Sequence, residues 1–255
     1  MSLIFDSHAH YDNKVFDSDR DEILKNLRLS GVSKIINVGC DENTSKKSIN
    51  LAKKYPFIYA SVGIHPHDAK NVSLDYISKL ELWSKKEKTV AIGEIGLDYH
   101  YNFSDQNTQK KVFEEQLQLA QDLSMPVIIH DREAHDDTLN LLKKYKPKGV
   151  VHCFSGSLDI AREVINLGMY VGLGGAVTFK NAKIPCLIAK EVPLEKLLLE
   201  TDAPYMAPMP FRGKRCDSSM IKEISETIAK LRNMNAEDLL DSTNKNAVKL
   251  FLEDR

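Results

Sequence analysis

The stretch M-P-V-I-I-H-D-R, Met125 to Arg132, sets three β-branched apolar residues in a row and follows them at once with histidine, aspartate and arginine. Successive side chains on a strand point to opposite faces, so an apolar run without polar alternation reads as a strand buried on both sides. The same pattern recurs outward from it. Leu3–Phe5, Lys34–Val38, Ile58–Val62, Val90–Ile92, Val150–Val151, Tyr170–Leu173 and Leu197–Leu199 are similar short runs, and with Val127–Ile129 they make eight. Between them lie segments with helical spacing, such as Ser104 to Leu123, where Ser104 can cap and Phe113, Leu117 and Ala120 share a face. Two helices close the chain, one lined by Ile221, Ile224, Ile228 and Leu231, the other by Leu239, Leu240, Ala247, Val248 and Phe251. Eight strands alternating with helices in 255 residues predict an α/β fold, a (β/α)8 TIM barrel forming a single domain over residues 1–255.

Composition narrows the partners. Basic and acidic residues nearly balance, 35 against 36, so no global field draws nucleic acid or a membrane to the surface, and any nucleic-acid contact must be local. Cys40, Cys153, Cys186 and Cys216 form no C-x-x-C pair, which suits free thiols in a reducing compartment; a cytoplasmic location is expected. The start, Met-Ser-Leu-Ile-Phe-Asp, turns acidic too soon for a signal peptide, and no run nears the roughly 18 apolar residues of a membrane span. No protein partner can be inferred.

A (β/α)8 barrel carries its active site at the C-terminal ends of the strands. The polar residues there are His8 and His10 after the first run, His65 in G-I-H-P-H after the third, Glu94 after the fourth, His130 after the fifth, His152 after the sixth, and Glu200 and Asp202 after the eighth. His8 and His10, two apart, share a face and converge on one point. Ile92 with Glu94, Ile128 with His130 and Val150 with His152 keep one parity, which directs all three polar residues into the barrel mouth. Each alone could be a hydrogen-bonded core residue or a turn former. Four histidines and two carboxylates at five strand ends are different: unpaired buried polar groups cost about 1–3 kcal/mol each, and a bound cation removes that cost.

In this constellation the chain resembles the TatD-related metal-dependent deoxyribonucleases of the amidohydrolase superfamily. The resemblance rests on F-D-S-H-A-H-Y-D, V-G-I-H-P-H, A-I-G-E-I-G-L-D-Y, I-I-H-D-R-E-A, H-C-F-S-G and L-L-L-E-T-D-A-P-Y, in that order over essentially the whole chain. It implies two divalent metal ions, with Zn, Mn, Fe, Ni or Mg as candidates: one held by His8, His10, Glu94 and Asp202, the other by Glu94, His130 and His152, with Glu94 bridging. The chain departs from the family at R-G-K-R-C-D-S-S, where Cys216 and Ser218 break the usual pattern after Arg212, Gly213 and Lys214.

The expected activity is metal-dependent hydrolysis of a phosphodiester, a DNase acting on DNA at single-stranded or frayed ends in 3′-5′ exonuclease fashion, with RNA as a further substrate. Asp202 is the expected proton acceptor and Glu94 the shared carboxylate of the catalytic pair. Glu200 is expected to support a ligand, and His65 to touch substrate or support the site. Arg132, Arg212, Lys214 and Arg215 are candidate phosphate contacts, and Tyr99, Tyr101, Phe103, Phe154 and Tyr205 candidate stacking residues, although surface solvation and loop packing are the ordinary fates of such groups. Two other functions fit the same residues: an amidohydrolase-type enzyme for a small amide, ester or phosphotriester, and a non-enzymatic binding protein stabilised by metal.

Overall fold

Every one of the eight apolar runs forms a strand, and the strands pair in parallel in sequence order. The computed structural model describes residues 3–253; residues 1, 2, 254 and 255, the ends of the expected domain, lie outside the described residues. The strands are β1 (Ile4–Ala9), β2 (Val32–Val38), β3 (Ile58–Val62), β4 (Thr89–Asp98), β5 (Val127–Arg132), β6 (Gly149–Val151), β7 (Tyr170–Leu173) and β8 (Leu197–Leu199). Helices α1 (Arg20–Leu29), α2 (Glu42–Lys54), α3 (Tyr76–Ser84), α4 (Gln106–Asp122), α5 (His135–Tyr145), α6 (Leu158–Asn166), α7 (Lys183–Glu191) and α8 (Ile221–Arg232) follow β1 to β8 in turn, and α9 (Ala236–Phe251) ends the fold. This is a (β/α)8 TIM barrel. No helix among the described residues is long and apolar enough to cross a membrane.

Two apolar clusters explain why the runs lack alternation. Phe5, Ile36, Val38, Val90, Ile128, Val150, Tyr170 and Leu198 fill the barrel interior, and Ala247 and Phe251 of α9 join them. Ile35, Ile58, Ile92, Ile129, Val151, Val171 and Leu197 face the other way and pack under helical residues such as Leu24, Leu80, Phe113, Leu117 and Ile224. Helix α9 lies against the N-terminal strand ends, where Asn244 donates to the Leu3 carbonyl at 2.6 Å and Asn246 to the Leu197 carbonyl at 2.9 Å. The floor is thereby sealed, and the opposite end is left for chemistry.

The barrel closes at that opposite end. β8 is three residues long, and the link to β1 is a single parallel bridge, Ala9 to Ala203, with His10 N–H donating to the Ala203 carbonyl at 2.7 Å and Asp202 N–H to the His8 carbonyl at 2.9 Å. The seam of the barrel therefore runs between His8, His10 and Asp202.

Three expectations are corrected. Helix α4 begins at Gln106 and is capped by Asp105, whose carboxylate accepts the Asn107 and Thr108 N–H groups, while the Ser104 hydroxyl donates to the His67 carbonyl at 3.0 Å. Strand β4 is longer than the apolar run that announced it and reaches Asp98. The parity argument also fails in β4: Ile92 lies in the outer cluster, and a register shift against β5 between Ile92 and Ile95 reverses the phase before Glu94. A bulge inserts one residue and turns every later side chain over, which a period-two reading cannot anticipate. Parity holds in β5, where Ile128 is interior and His130 follows on the same side.

Candidate metal centre

The mouth residues converge on the Glu94 carboxylate, and its two oxygens face different neighbours. Glu94 Oε2 lies 3.3 Å from His8 Nε2 and 3.8 Å from His10 Nε2, while Asp202 Oδ1 lies 3.7 Å and 3.4 Å from the same two nitrogens. His8 Nε2 and His10 Nε2 are 3.1 Å apart. On the other side Glu94 Oε1 lies 2.7 Å from His152 Nε2, 3.0 Å from His130 Nδ1 and 3.4 Å from His65 Nε2. His152 Nε2 and His130 Nδ1 are 3.4 Å apart. Four donors at about 2.0–2.2 Å from one ion in a tetrahedron stand about 3.3–3.6 Å from one another. The His8–Glu94, His10–Asp202 and His130–His152 separations of 3.3, 3.4 and 3.4 Å match this, while His152 at 2.7 Å from Glu94 is at hydrogen-bond distance.

Two of the ring nitrogens that face away, on His10 and His130, are hydrogen-bonded in a way that keeps the inner ones free to donate a lone pair, whereas among the described residues His8 Nδ1 and His152 Nδ1 are buried without a hydrogen bond. His10 Nδ1–H donates to the Val38 carbonyl at 3.0 Å, and His130 Nε2–H donates to Asp98 Oδ2 at 3.1 Å. His152 Nδ1 faces Glu200 Oε1 at 3.7 Å, and Glu200 Oε1 also accepts the Cys153 N–H. Glu200 fits because residue 172 is glycine: a Cβ there would stand 2.5 Å from Glu200 Oε2. Hydrogen bonding the outer nitrogen selects the tautomer whose other nitrogen can bind a metal.

Charge points the same way. Burial opposes ionisation of Glu94, yet His152, His65 and His8, with the His130 hydrogen bond, hold its carboxyl well below the usual range. Burial likewise opposes protonation of His152, but Glu94 and Glu200 raise it well above an ordinary imidazole. His8 is pushed down by burial and by His152, and His65 is pushed down to about 4, chiefly by burial. The carboxylates draw positive charge into a buried pocket, and divalent cations supply it when protons leave the imidazoles. Groups able to hold a metal are His8 with His10 and Glu94, His8 with His152 and Glu200, and His65 with Glu94 and His130.

The structure thus gathers His8, His10, Glu94, His130, His152, Asp202 and Glu200 into one pocket. His65, expected to touch substrate or support the site, is buried in it: its Nδ1 accepts the His67 N–H at 3.1 Å, which turns Nε2 toward Glu94. Arg132, Arg212 and Lys214 stand apart from the carboxylates. The Arg132 guanidinium covers the Tyr101 ring at 4.8 Å and Arg212 covers Phe179 at 4.4 Å, and among the described residues none of the three forms an ion pair with a carboxylate. Arg215 is removed from the phosphate candidates because it pairs with Asp19 and donates to the Val15 carbonyl at 2.6 Å. Tyr99 donates to Asp137 at 2.6 Å and Phe154 is buried, so both pack the loops, whereas Tyr101, Phe103 and Tyr205 are exposed.

The departure after Lys214 points inward. Cys216 is buried in the outer core, and the Ser218 hydroxyl donates to Asp6 Oδ2 at 2.6 Å beside Tyr11. Asp6 also accepts from Thr201 and from the His8 N–H, so Ser218 helps tie the loop to the first strand. Two residues went unread in the sequence. Asp98 accepts from His67 Nε2 at 2.9 Å as well as from His130, and Cys40 donates its thiol toward Glu94 Oε2 at 3.6 Å. Asp98 lies four residues after Glu94 on the same strand, a signal hidden because β4 runs on to Asp98 well past the apolar run Val90–Ile92.

A parallel barrel with a histidine and carboxylate pocket at its C-terminal mouth is the setting of a metal-dependent hydrolase. The TatD related DNase family profile matches residues 5–252, and the chain belongs to that family of metal-dependent hydrolases. It is 41% identical over 252 residues to the uncharacterized metal-dependent hydrolase YabD of Bacillus subtilis, covering 98% of this chain and 99% of that one. It is 35% identical to the 3′-5′ ssDNA/RNA exonuclease TatD of Cronobacter sakazakii, with 98% of each chain covered. Among solved structures, the TatD homologue YjjV of Escherichia coli superposes with a TM-score of 0.90 at 33% identity, covering 97% of each chain.

Proposed function

We propose that this protein is a phosphodiesterase acting on unpaired DNA, with RNA as a second substrate, and that it uses two divalent ions, Zn, Mn, Fe, Ni or Mg. One ion would be held by His8, His10, Glu94 and Asp202, the other by Glu94, His130 and His152. The observation that carries this is the division of Glu94, one oxygen toward His8 and His10 and the other toward His130 and His152. Bound divalent ions supply Lewis acidity for phosphoryl oxygens and acidify water near neutral pH.

The chain's own residues then have separate tasks. Asp202 is the proton acceptor: its side chain is 20% exposed, and its carboxyl is held low, against burial, by the hydrogen bond with His10 and by His8. It takes the proton from the attacking water as the new P–O bond forms and returns it to the leaving oxygen as the old one breaks. His65, neutral at pH 7, turns its Nε2–H toward Glu94 and supports that carboxylate. Glu200 and Asp98 orient His152 and His130. Arg132, Arg212 and Lys214 are the phosphate contacts, and their lack of carboxylate partners among the described residues supports this. A cytoplasmic setting suits the four free cysteines.

The test is metal-replete protein assayed against labelled single- and double-stranded DNA, RNA, and a panel of small esters and amides. Release of nucleotides from unpaired ends, abolished by chelation and restored by added metal, supports the proposal. Turnover confined to the small esters or amides overturns it.

A further inference from the structure

Beyond the metal centre, one feature of the mouth has no role in bond cleavage. The loop after β4 exposes two aromatic rings, Tyr101 at 49% and Phe103 at 55%, stacked with centroids 5.4 Å apart and planes 11° from parallel. Exposed aromatic pairs are unusual where a loop could bury them, and here the backbone holds them out: Asp98 Oδ1 accepts the Tyr101 N–H at 2.8 Å. His67 sets its ring edge-on to both, 5.5 Å from Tyr101 and 4.8 Å from Phe103, and is itself bonded to Asp98. The same Asp98 carboxylate holds His130, so the rings and the centre share one anchor. Arg132, two residues after His130 and paired across the ladder with Asp98, lays its guanidinium 4.8 Å from the Tyr101 centroid.

The geometry points to a nucleotide subsite: one unpaired base stacks on the Tyr101 and Phe103 ledge while Arg132 takes the phosphate of that nucleotide. It rests on the reading of the centre as a nuclease, and it adds what selects the substrate. A guanidinium placed over an aromatic ring still has N–H groups at its edge to offer, and those match phosphate oxygens. Stacking on a ledge needs a base with an uncovered π face. Inside a duplex both faces are covered by neighbouring pairs; at a single strand or frayed end one is open. The ledge therefore makes the enzyme select unpaired ends, and it is tolerant of sequence because every base has a π face. The stacked nucleotide lies on the His130 side of the scissile phosphate, because the ledge hangs from Asp98 and His67 on that side.

The experiment uses the metal-loaded protein and a set of short oligodeoxythymidylates, each with one abasic residue at a successive position. Binding and kcat/KM are compared for wild type, Tyr101→Ala with Phe103→Ala, Tyr101→Phe and Arg132→Ala. The double alanine variant is expected to bind the intact strand about tenfold or more weakly, with unchanged metal content and unfolding temperature. On one abasic strand alone, that with the gap beside the cleaved bond, the difference between wild type and variant disappears. Tyr101→Phe retains wild-type affinity, and Arg132→Ala weakens binding to intact and abasic strands alike. If the variant and wild type keep the same ratio on every strand while both cleave DNA, the ledge is not a subsite and the nuclease reading stands. If wild type neither binds nor cleaves any strand, both fall.

Discussion

Replacing Asp98 with asparagine tests whether an unread carboxylate orients the candidate centre. In the native protein Asp98 Oδ2 accepts two ring N–H groups, from His67 at 2.9 Å and His130 at 3.1 Å, and Oδ1 accepts the Tyr101 N–H at 2.8 Å. Burial opposes its charge, but the bonds from His130, Tyr101 and His67 more than offset that and keep it a carboxylate. An asparagine has one acceptor oxygen and must choose. If its NH2 replaces Oδ2, it meets two N–H donors, and His130 has to move its proton to Nδ1, the nitrogen 3.0 Å from Glu94 Oε1. That nitrogen then has no lone pair for a metal. Losing an orienting partner of this kind costs about 10–100-fold in metal affinity. If the amide turns over, its NH2 meets the Tyr101 N–H, and an unsatisfied buried donor costs about 1–3 kcal/mol of stability. Chelator competition reads the first outcome and denaturant unfolding the second. An Asp98→Asn protein with its metal affinity and its stability unchanged would refute the orienting role.

Three further outcomes are expected. Glu94→Ala should lose both ions by elemental analysis and lower turnover by about 10²–10³ or more, while His65→Ala keeps the ions; the reverse result means the ligand set is wrong. Burial pushes Asp6 up to about 7 from 3.8, so the folded chain keeps a proton that the unfolded chain releases. That stabilisation is complete below pH 3.8 and lost as pH rises through about 7, a change of about 4 kcal/mol that Asp6→Asn, a mimic of the protonated acid, should abolish. Urea unfolding across that range checks it, and a difference between variant and wild type that does not vary with pH would count against it. Charge reversal at Arg212 with Lys214 should reduce the salt dependence of single-strand binding by about 0.7 per lost phosphate contact, and an unaltered slope would leave both residues as solvated surface.

The sequence alone determined the barrel, because a strand buried on both faces must be apolar at every position, and eight such runs admit few other arrangements. It also placed the candidate centre, since chemistry in this fold gathers at strand ends, and His8, His10, Glu94, His130, His152 and Asp202 all stand there. Tertiary structure decided what local pattern does not encode. The β4 bulge, which turns Glu94 to the mouth while Ile92 faces the helices, depends on how β4 registers against β5. Gly96 permits that register: at φ 146° it lies where a Cβ would be 1.9 Å from the His130 carbonyl oxygen. Asp98 acquired its role only when β4 ran on past Glu94, and His65 came inward only when His67 N–H bonded its Nδ1. Arg212 and Arg215, three apart in one basic run, were separated by their partners, Phe179 for the first and Asp19 for the second. Such differences come from contacts between residues distant in the chain, and side-chain type and spacing carry no record of them.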